Sequence, residues 1–225
     1  MKLLIDDADI AAIRKLYEYY DIDGVTTNPS ILAKAGRAPW EVLEEIRDFI
    51  GADADFHVQV IARDAEGICR DAHAILQRLG DRTLVKIPCV PEGFKAMKIL
   101  RAEGIRTTGT AVYTVMQAYR AAKNGAEYVA PYVNRIDNMG YDGVGVVRQI
   151  QDIFDVNGMD TQILAASFKN VQQIQELALY GVGSATVAAD LIEGMFKNAF
   201  VTAAVDQFTA DFEKLTAPGA TMAGL

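Results

Sequence analysis

The sequence predicts a single-domain (β/α)8 (TIM) barrel with an extra C-terminal helix. Short apolar strands alternate with stretches whose apolar residues recur three and four positions apart, which is the pattern of amphipathic helices. Strict alternation of strand and helix favours a parallel sheet. Eight such units within 225 residues favour closure of that sheet into a barrel.

The eight predicted strands are short and apolar. They are Lys2–Ile5, Gly24–Thr27, Phe56–Ile61, Thr83–Pro88, Ile105–Thr110, Tyr128–Tyr132, Gln162–Ala166 and Ser184–Val187. An open, doubly wound sheet is the alternative for this pattern. No G-x-G-x-x-G motif lies between a strand and a helix, so the dinucleotide-binding version of that alternative has no support.

The helical stretches are recognised by their apolar stripes. The clearest is Ala65–Leu79, and Phe94–Arg101 and Val144–Phe154 behave likewise. Glycines near the predicted helix ends indicate where each helix stops: Gly80, Gly104, Gly125, Gly158 and Gly181. The run Asn134–Asp142 is expected to be a surface loop.

The domain prediction is one barrel over residues 1–215, which includes a C-terminal helix at 199–215, followed by a short tail at 216–225. The eighth unit's own helix is expected at Asp190–Phe196. The apolar stripe of the last helix consists of Val201, Val205, Phe208 and Phe212. This helix could pack on its own barrel or cross to a neighbouring subunit, and the pattern allows both.

Composition and charge narrow the classes of partner. The chain is 51% hydrophobic and 23% charged, which is ordinary for a globular protein, and its net charge is −8. Duplex DNA or an anionic membrane would require a basic face, so we expect neither nucleic acid nor membrane as a partner. Cys69 and Cys89 match no metal-ligand spacing and are too few for a disulfide framework. We therefore expect no metal and a reduced, cytoplasmic setting.

The polar residues that matter most lie where the strands end, because the active sites of (β/α)8 barrels are built at the C-terminal ends of the strands. The polar residues at or near these ends are Asp6, Thr26, Thr27, Asn28, His57, Gln59, Lys86, Thr108, Thr110, Tyr132, Asn134, Arg135, Ser167 and Lys169. Strand residues alternate between the barrel interior and the helix layer. Because the apolar set belongs against the helices, His57, Gln59 and Lys86 are expected to point inward.

Lys86 is the sharpest single signal. It is the one lysine of ten that lies within an apolar strand rather than at a strand start, on a helical face or in a loop. Burial disfavours the ammonium and lowers the pKa of a lysine, which yields an amine that can attack a carbonyl and form a Schiff base. Two alternatives remain at this point: a lysine paired with a buried carboxylate, and a lysine that binds phosphate.

The neighbouring polar residues also allow more than one role. Asp6 could be the ion-pair partner of Lys86 or a general base, but it could equally cap the next helix, as could Asp7 or Asp9. Arg135 and Lys169 are candidate anion ligands, with solvated loop charges as the alternative. Ser167 could add a hydroxyl to the same anion site. His57 is expected to be an interior histidine low in the barrel, and Cys89 a packing residue.

Five motifs together resemble the small transaldolase-like family, and most closely its fructose-6-phosphate aldolase branch. They occur in the family's order and spacing from Leu3 to about Leu215: GVTTNPS (Gly24–Ser30), VKIP (Val85–Pro88), EGI-T-GTAVY (Glu103–Tyr113), GAEYVAPYVNRID (Gly125–Asp137) and ILAASFK (Ile163–Lys169). The resemblance implies a Schiff base on Lys86. Transaldolases of the family carry glutamate and phenylalanine where this chain has Gln59 and Tyr132, and serine where it has Ala130.

The resemblance also implies roles for the remaining residues. Asp6 is the general base, and Gln59, Thr110 and Tyr132 hold the water that shuttles protons. The residues placed around the substrate are Thr26, Asn28, Ala130, Arg135, Ser167 and Lys169. The implied reaction cleaves fructose 6-phosphate to dihydroxyacetone and glyceraldehyde 3-phosphate without cofactor or metal. The implied assembly is a homo-oligomer, a decamer by family likeness.

Two other functions are weighed against this reading. One is a transaldolase that moves a dihydroxyacetone unit between sugar phosphates, and the other is a non-catalytic sugar-phosphate-binding barrel. Two positions depart from the pattern expected of the family. Thr108 stands where an apolar residue is expected, and Thr186–Asp190 reads TVAAD where a proline-containing turn is expected.

Overall fold

Eight parallel strands close into a barrel in the computed structural model, which describes residues 1–224. The strands are β1 (Lys2–Asp6), β2 (Gly24–Thr26), β3 (Asp55–Gln59), β4 (Leu84–Pro88), β5 (Thr107–Val112), β6 (Tyr128–Pro131), β7 (Gln162–Ala165) and β8 (Ser184–Val187). Each pairs with its neighbours in chain order, and β8 pairs with β1. The predicted barrel is confirmed, and the open-sheet alternative is wrong.

The helices follow the strands in the expected alternation. They are α1 (Ile10–Tyr19), α2 (Pro29–Ala35), α3 (Pro39–Ile50), α4 (Ala65–Leu79), α5 (Pro91–Ala102), α6 (Val115–Lys123), α7 (Val133–Asp137), α8 (Gly143–Val156), α9 (Val171–Tyr180), α10 (Ala189–Phe196) and α11 (Ala199–Leu215). The bounds of α4 and α11 are those predicted. All five glycines proposed as helix ends have positive φ, which residues other than glycine rarely adopt.

The inward face of the barrel has an apolar floor below its polar mouth. Leu4, Leu84, Tyr128 and Leu164 form one buried cluster, with side chains that share the inward parity of Lys86 on β4. The alternate residues of β3 and β4, such as Phe56, Val58, Val85 and Ile87, are fully buried on the opposite parity. Polar residues can therefore occupy the interior without exposing the apolar set to water.

Seven of the eight strands differ from their predicted bounds, five of them by one residue at one end, and β8 matches at both ends. β3 ends at Gln59 because the next residues leave the sheet, and Ile61 is 69% exposed. β5 begins at Thr107 because the amide of Ile105 closes the end of α5 by bonding to Leu100. The sixth strand stops at Pro131, and Tyr132 makes a single bridge to Ala166 before α7 begins.

The expected surface loop at Asn134–Asp142 is wrong in its first half. Val133–Asp137 forms α7, whose residues Val133 and Ile136 are buried and three positions apart. A helix of five residues is too short to produce a recognisable apolar period, which is why the sequence pattern does not predict it.

The contacts divide the described chain into two compact units, Met1–Ile192 and the segment that begins at Glu193. Within the second unit, Asn198 caps α11, and no residue of α11 is buried. Its exposed apolar residues are Phe200, Val201, Val205, Phe208 and Leu215. No helix within residues 1–224 has the length and apolarity needed to cross a bilayer.

Candidate active site

A cavity of about 840 Å³ opens at the C-terminal ends of the strands. Seven of the eleven predicted site residues line it: Asp6, Asn28, Lys86, Tyr132, Arg135, Ser167 and Lys169. The other four are not part of this lining. Within this group, Thr26 contacts Asp6 and Thr110 contacts Tyr132, while Gln59 pairs in register with Lys86 and Ala130 is buried on β6.

Lys86 lies in the interior as its parity predicts, and it is 4% exposed. Its Nζ donates a hydrogen bond to the backbone carbonyl of Thr27 at 2.9 Å. Burial lowers the pKa of the Lys86 ammonium, and the nearby charge of Asp6 opposes that shift. The environment therefore favours a larger fraction of free amine than an exposed lysine has, which is the form that acts as a nucleophile.

Asp6 ends β1 and faces the same cavity. Burial raises the pKa of its carboxyl group, while Lys86 and the Thr26 hydroxyl act in the opposite direction. The helix-cap alternative for Asp6 is wrong, because Asp9 caps α1 by accepting hydrogen bonds from the amides of Ala11 and Ala12. Asp6 is thus free to act on a bound molecule as a base stronger than an ordinary aspartate.

A chain of two threonine hydroxyls orients Asp6. Thr26 Oγ1 donates to Asp6 Oδ1 at 2.7 Å, and the hydroxyl of Thr186 on β8 lies 2.7 Å from Thr26 Oγ1. A threonine hydroxyl has one proton, so Thr26 accepts from Thr186 when it donates to Asp6. The unexpected TVAAD sequence at the end of the eighth strand thereby acquires a structural role, since its threonine, Thr186, completes this chain.

Tyr132 places its hydroxyl 2.9 Å from Thr110 Oγ1. Burial raises the pKa of the phenol, and the hydrogen bond with Thr110 and the charge of Arg135 oppose that shift. The phenol is therefore protonated at neutral pH and can both donate and accept hydrogen bonds at the cavity.

Arg135 lies over the face of the Tyr132 ring, with Cζ 4.7 Å from the ring centroid. Such cation–π contacts hold a guanidinium in place. The side-chain interaction with Tyr113 is the main reason that the pKa of Arg135 is raised. Arg135 lies on α7 and is exposed, as is Lys169, so the alternative of a solvated charge still applies to both, although the contact with Tyr132 orients Arg135.

Two loops bring hydrogen-bonding groups to the same cavity. Asn28 caps α2 with its Oδ1, which accepts from the amides of Ser30 and Ile31 at 3.0 and 3.1 Å, and this leaves its Nδ2 to donate. Ser167 adopts a left-handed backbone with φ of 61°, which is uncommon outside glycine, and its carbonyl accepts from the amide of Asn134.

His57 is an interior histidine, as predicted, and is fully buried. Its Nδ1 lies 2.8 Å from Thr108 Oγ1. The threonine at position 108, which departs from the expected family pattern, therefore supplies the hydrogen-bond partner of His57. Burial, followed by the charges of Lys86 and Arg106, holds the pKa of His57 well below its usual range. The imidazole is therefore neutral beneath Lys86.

The depressed pKa of His57 predicts a specific loss of stability in acid. Below about pH 6.5 the unfolded chain binds a proton at His57 that the folded chain excludes, so stability falls as pH falls. Relative to His57→Gln, wild type should lose about 2 kcal/mol more between about pH 7 and pH 5, as measured by urea unfolding. An equal loss in both proteins would contradict a buried neutral imidazole. The exposed His73 is common to both proteins and cancels.

Some functional contacts had no signal in the sequence. The carbonyl of Thr27 that accepts from Lys86 is a backbone group, and the pairing of Thr26 with Thr186 joins residues 160 positions apart. Inward parity on the eighth strand could have nominated Thr186. Within residues 1–224, no group of three or more His, Cys, Asp and Glu side chains is arranged to hold a metal ion.

A closed barrel with a buried lysine, a carboxylate and a phenol at its C-terminal mouth defines a (β/α)8-barrel protein with a polar site built at the strand ends. Residues 3–223 match the family described as Transaldolase/Fructose-6-phosphate aldolase, and the chain belongs to this family. Its members are aldolase and transaldolase enzymes.

The names of individual relatives divide between the two activities. The chain is 39% identical over 213 residues to a "Probable fructose-6-phosphate aldolase" of Streptococcus pneumoniae, covering 94% of this chain and 96% of the relative. It is 38% identical over 215 residues to a "Probable transaldolase" of Coprothermobacter proteolyticus, covering 96% and 98%. A "Probable transaldolase" of Geotalea uraniireducens is 39% identical over 215 residues, covering 96% and 99%.

Proposed function

We propose that the protein is a class I aldolase that reversibly cleaves fructose 6-phosphate to dihydroxyacetone and glyceraldehyde 3-phosphate. The observation that carries this proposal is the Tyr132 hydroxyl, hydrogen-bonded to Thr110 in the cavity that also holds Lys86 and Asp6. Lys86 supplies the amine, Asp6 the base, and Tyr132 a group that moves protons. The three side chains line one cavity, so one bound ketose would meet all of them.

The reaction begins at Lys86. Its free amine adds to the C2 carbonyl of the open-chain sugar, and loss of water gives an iminium. Asp6 removes the proton of the C4 hydroxyl, the C3–C4 bond breaks, and its electron pair flows into the iminium to form an enamine while glyceraldehyde 3-phosphate leaves. The iminium is the electron sink, so the proposed cycle uses no metal and no cofactor.

The second half of the cycle releases the three-carbon unit. The enamine takes a proton at C3, and water then hydrolyses the resulting iminium to free dihydroxyacetone and the Lys86 amine. We assign the proton shuttle to a water held by Gln59, Thr110 and Tyr132. The contact between Thr110 and Tyr132, and the register of Gln59 beside Lys86, support this assignment.

The proposed substrate is a phosphorylated ketose, so the site needs side chains that bind its phosphate. We assign the phosphate to Arg135 and Ser167, with Lys169 beside them, because a guanidinium presents several donors to phosphate oxygens. The Nδ2 of Asn28 would donate to the hydroxyls of the three-carbon donor. Ala130, a small residue buried on β6, is assigned to the same part of the site by family resemblance. Thr26, although predicted to bind substrate, is better placed to orient Asp6.

The test is the release of free dihydroxyacetone from fructose 6-phosphate in the absence of any acceptor aldose phosphate. We expect continuous release by the purified protein, followed with a coupled dehydrogenase that reduces dihydroxyacetone. Turnover that starts only after an aldose phosphate is added would contradict the aldolase and establish the transaldolase. The relatives named as transaldolases favour keeping that second candidate.

We also propose a cytoplasmic homo-oligomer, a decamer by family resemblance. The exposed apolar residues of α11, such as Phe200 at 88% and Phe208 at 70%, support burial of this helix against another copy. Sedimentation of the purified protein tests the assembly, and a monomer at micromolar concentration would contradict it. The free thiols of Cys69 and Cys89 suit a reducing compartment.

A further inference from the structure

The strand β5 carries a one-residue bulge just beside Tyr132. Gly109 pairs with Val129 of β6, but the next pair is Val112 with Pro131. Three steps along β5 thus match two steps along β6, so β5 contains one extra residue. Bulges of this kind re-aim the side chains that follow them and are common beside active sites.

Ala111 is the residue at which the bulge turns. Its φ of 54° places it in the left-handed region, where its Cβ is crowded. Among residues 1–224, only Ala111 and Ser167 combine positive φ with a residue other than glycine, and both lie at the mouth of the barrel. Strained backbone that persists near a cavity is a mark of function, since the surrounding structure must hold it there.

The bulge reverses the alternation of side chains along β5. Gly109 faces outward, because a Cβ built on it would meet Ala121 of α6 and Met97 of α5, beside Cys89. Val112 pairs with Pro131, which shares the outward parity of Val129, so Val112 also faces outward, only three residues later. In a regular strand Gly109 and Val112 would point to opposite faces.

Two residues that a regular strand would separate therefore meet at Tyr132. Thr110 precedes the bulge and contacts the Tyr132 hydroxyl at 2.9 Å. Tyr113 follows it and packs edge-on against the Tyr132 ring, with centroids 5.6 Å apart and planes at 76°. Arg135, whose pKa is raised first by Tyr113, lies over the face of the same Tyr132 ring. If β5 stayed regular through Ala111, Tyr113 would point to the face opposite Thr110.

We propose that the bulge at Ala111 brings both Thr110 and Tyr113 into contact with Tyr132. Ala111 and Tyr113 are then positioning residues for the phenol. The proposal deepens the proposed function and rests on it for the kinetic consequences. Ala111 contributes through its backbone conformation, whereas Tyr113 contributes through its ring. Both act on the orientation of the Tyr132 hydroxyl rather than on the substrate itself.

The test compares two substitutions at Ala111. A β-branched side chain is strongly disfavoured at positive φ, so Ala111→Val should flatten the bulge, move Thr110 and lower kcat by about 10²-fold, the usual effect of an ångström-scale misplacement. Ala111→Gly keeps the left-handed backbone and should retain kcat within about twofold, with a Tm at least as high as wild type. Equal kcat values for the two folded variants would overturn the proposal.

Two further readouts separate positioning from general damage. In a Tyr132→Phe background, Ala111→Val should lower kcat by a further factor of less than about two, because its effect depends on a hydroxyl that is already absent. Fully additive losses would overturn the proposal. The phenol pKa of Tyr132, obtained by subtracting the ultraviolet titration of Tyr132→Phe, should shift in Ala111→Val and stay in Ala111→Gly.

The titration also keeps this inference distinct from the proposed function. If wild type releases no dihydroxyacetone from fructose 6-phosphate, the proposed aldolase activity is contradicted. The positioning role of the bulge is then tested by the phenol pKa of Tyr132 alone. An unchanged pKa of Tyr132 in folded Ala111→Val would overturn the positioning role whether or not the protein is an aldolase.

Discussion

Replacement of Lys86 by Met should abolish the covalent adduct that borohydride traps with dihydroxyacetone. Methionine keeps the length and burial of the side chain but has no amine, so neither carbinolamine nor iminium can form. We expect cleavage of fructose 6-phosphate to fall by roughly 10⁵-fold, since loss of a covalent nucleophile removes a whole reaction path rather than one contact. Mass spectrometry of the reduced protein checks the adduct on the intact chain and then on its peptide.

The matched control is Lys34→Met. Lys34 lines the same cavity but is exposed, and it has no role in the proposed cycle. This variant should form the adduct as wild type does. An adduct that persists in Lys86→Met would show that another residue is the nucleophile. An absent adduct in wild type would contradict both the aldolase and the transaldolase. Circular dichroism and Tm confirm that each variant remains folded.

Replacement of Tyr132 by Phe should separate bond cleavage from product release. The amine and base remain, so we expect borohydride to trap the Lys86 adduct as before. Without the phenol, the water that protonates the enamine loses a partner, and Thr110 Oγ1 loses its 2.9 Å contact. General acid–base catalysis contributes about 10²–10⁴-fold, so release of free dihydroxyacetone should slow by about 10²-fold.

The longer-lived enamine can then react with another aldehyde. Added erythrose 4-phosphate should therefore capture a larger share of the three-carbon unit in Tyr132→Phe than in wild type, measured as the ratio of transfer product to free dihydroxyacetone. The control is Tyr141→Phe, because Tyr141 is 66% exposed and lies outside the cavity lining. An unchanged ratio in Tyr132→Phe would remove the proposed basis for preferring aldolase over transaldolase.

Much of the site could be predicted because a parallel barrel imposes simple rules. Alternation of strand and helix determines that all strand ends meet at one mouth, and a period of two determines which residues face inward. Lys86 stood out because a lone lysine within an apolar strand is costly to bury. Their positions at the strand ends nominated Asp6, Tyr132 and Arg135, the resemblance to the family gave them roles, and the structure brings these residues into one cavity.

Loops and short elements were less accessible. The single turn of α7 has no detectable period, and the choice of Asp9 over Asp6 as the cap of α1 depends on backbone geometry at the end of β1. From the sequence, Asp6, Asp7 and Asp9 are equivalent candidates for the cap of α1. Only the backbone path between β1 and α1 determines which of them is the cap. That selection decides whether Asp6 is available for chemistry.

The sequence by itself determined the barrel, the inward orientation of Lys86 and the apolar face that surrounds it, because these follow from local periodicity and from the energy of burial. Only the tertiary structure decided the partners of each polar group. The Thr186–Thr26–Asp6 chain and the pair of His57 with Thr108 join strands far apart in sequence. The bulge at Ala111 changes the parity itself, so any rule based on strict alternation fails there and Tyr113 goes unrecognised.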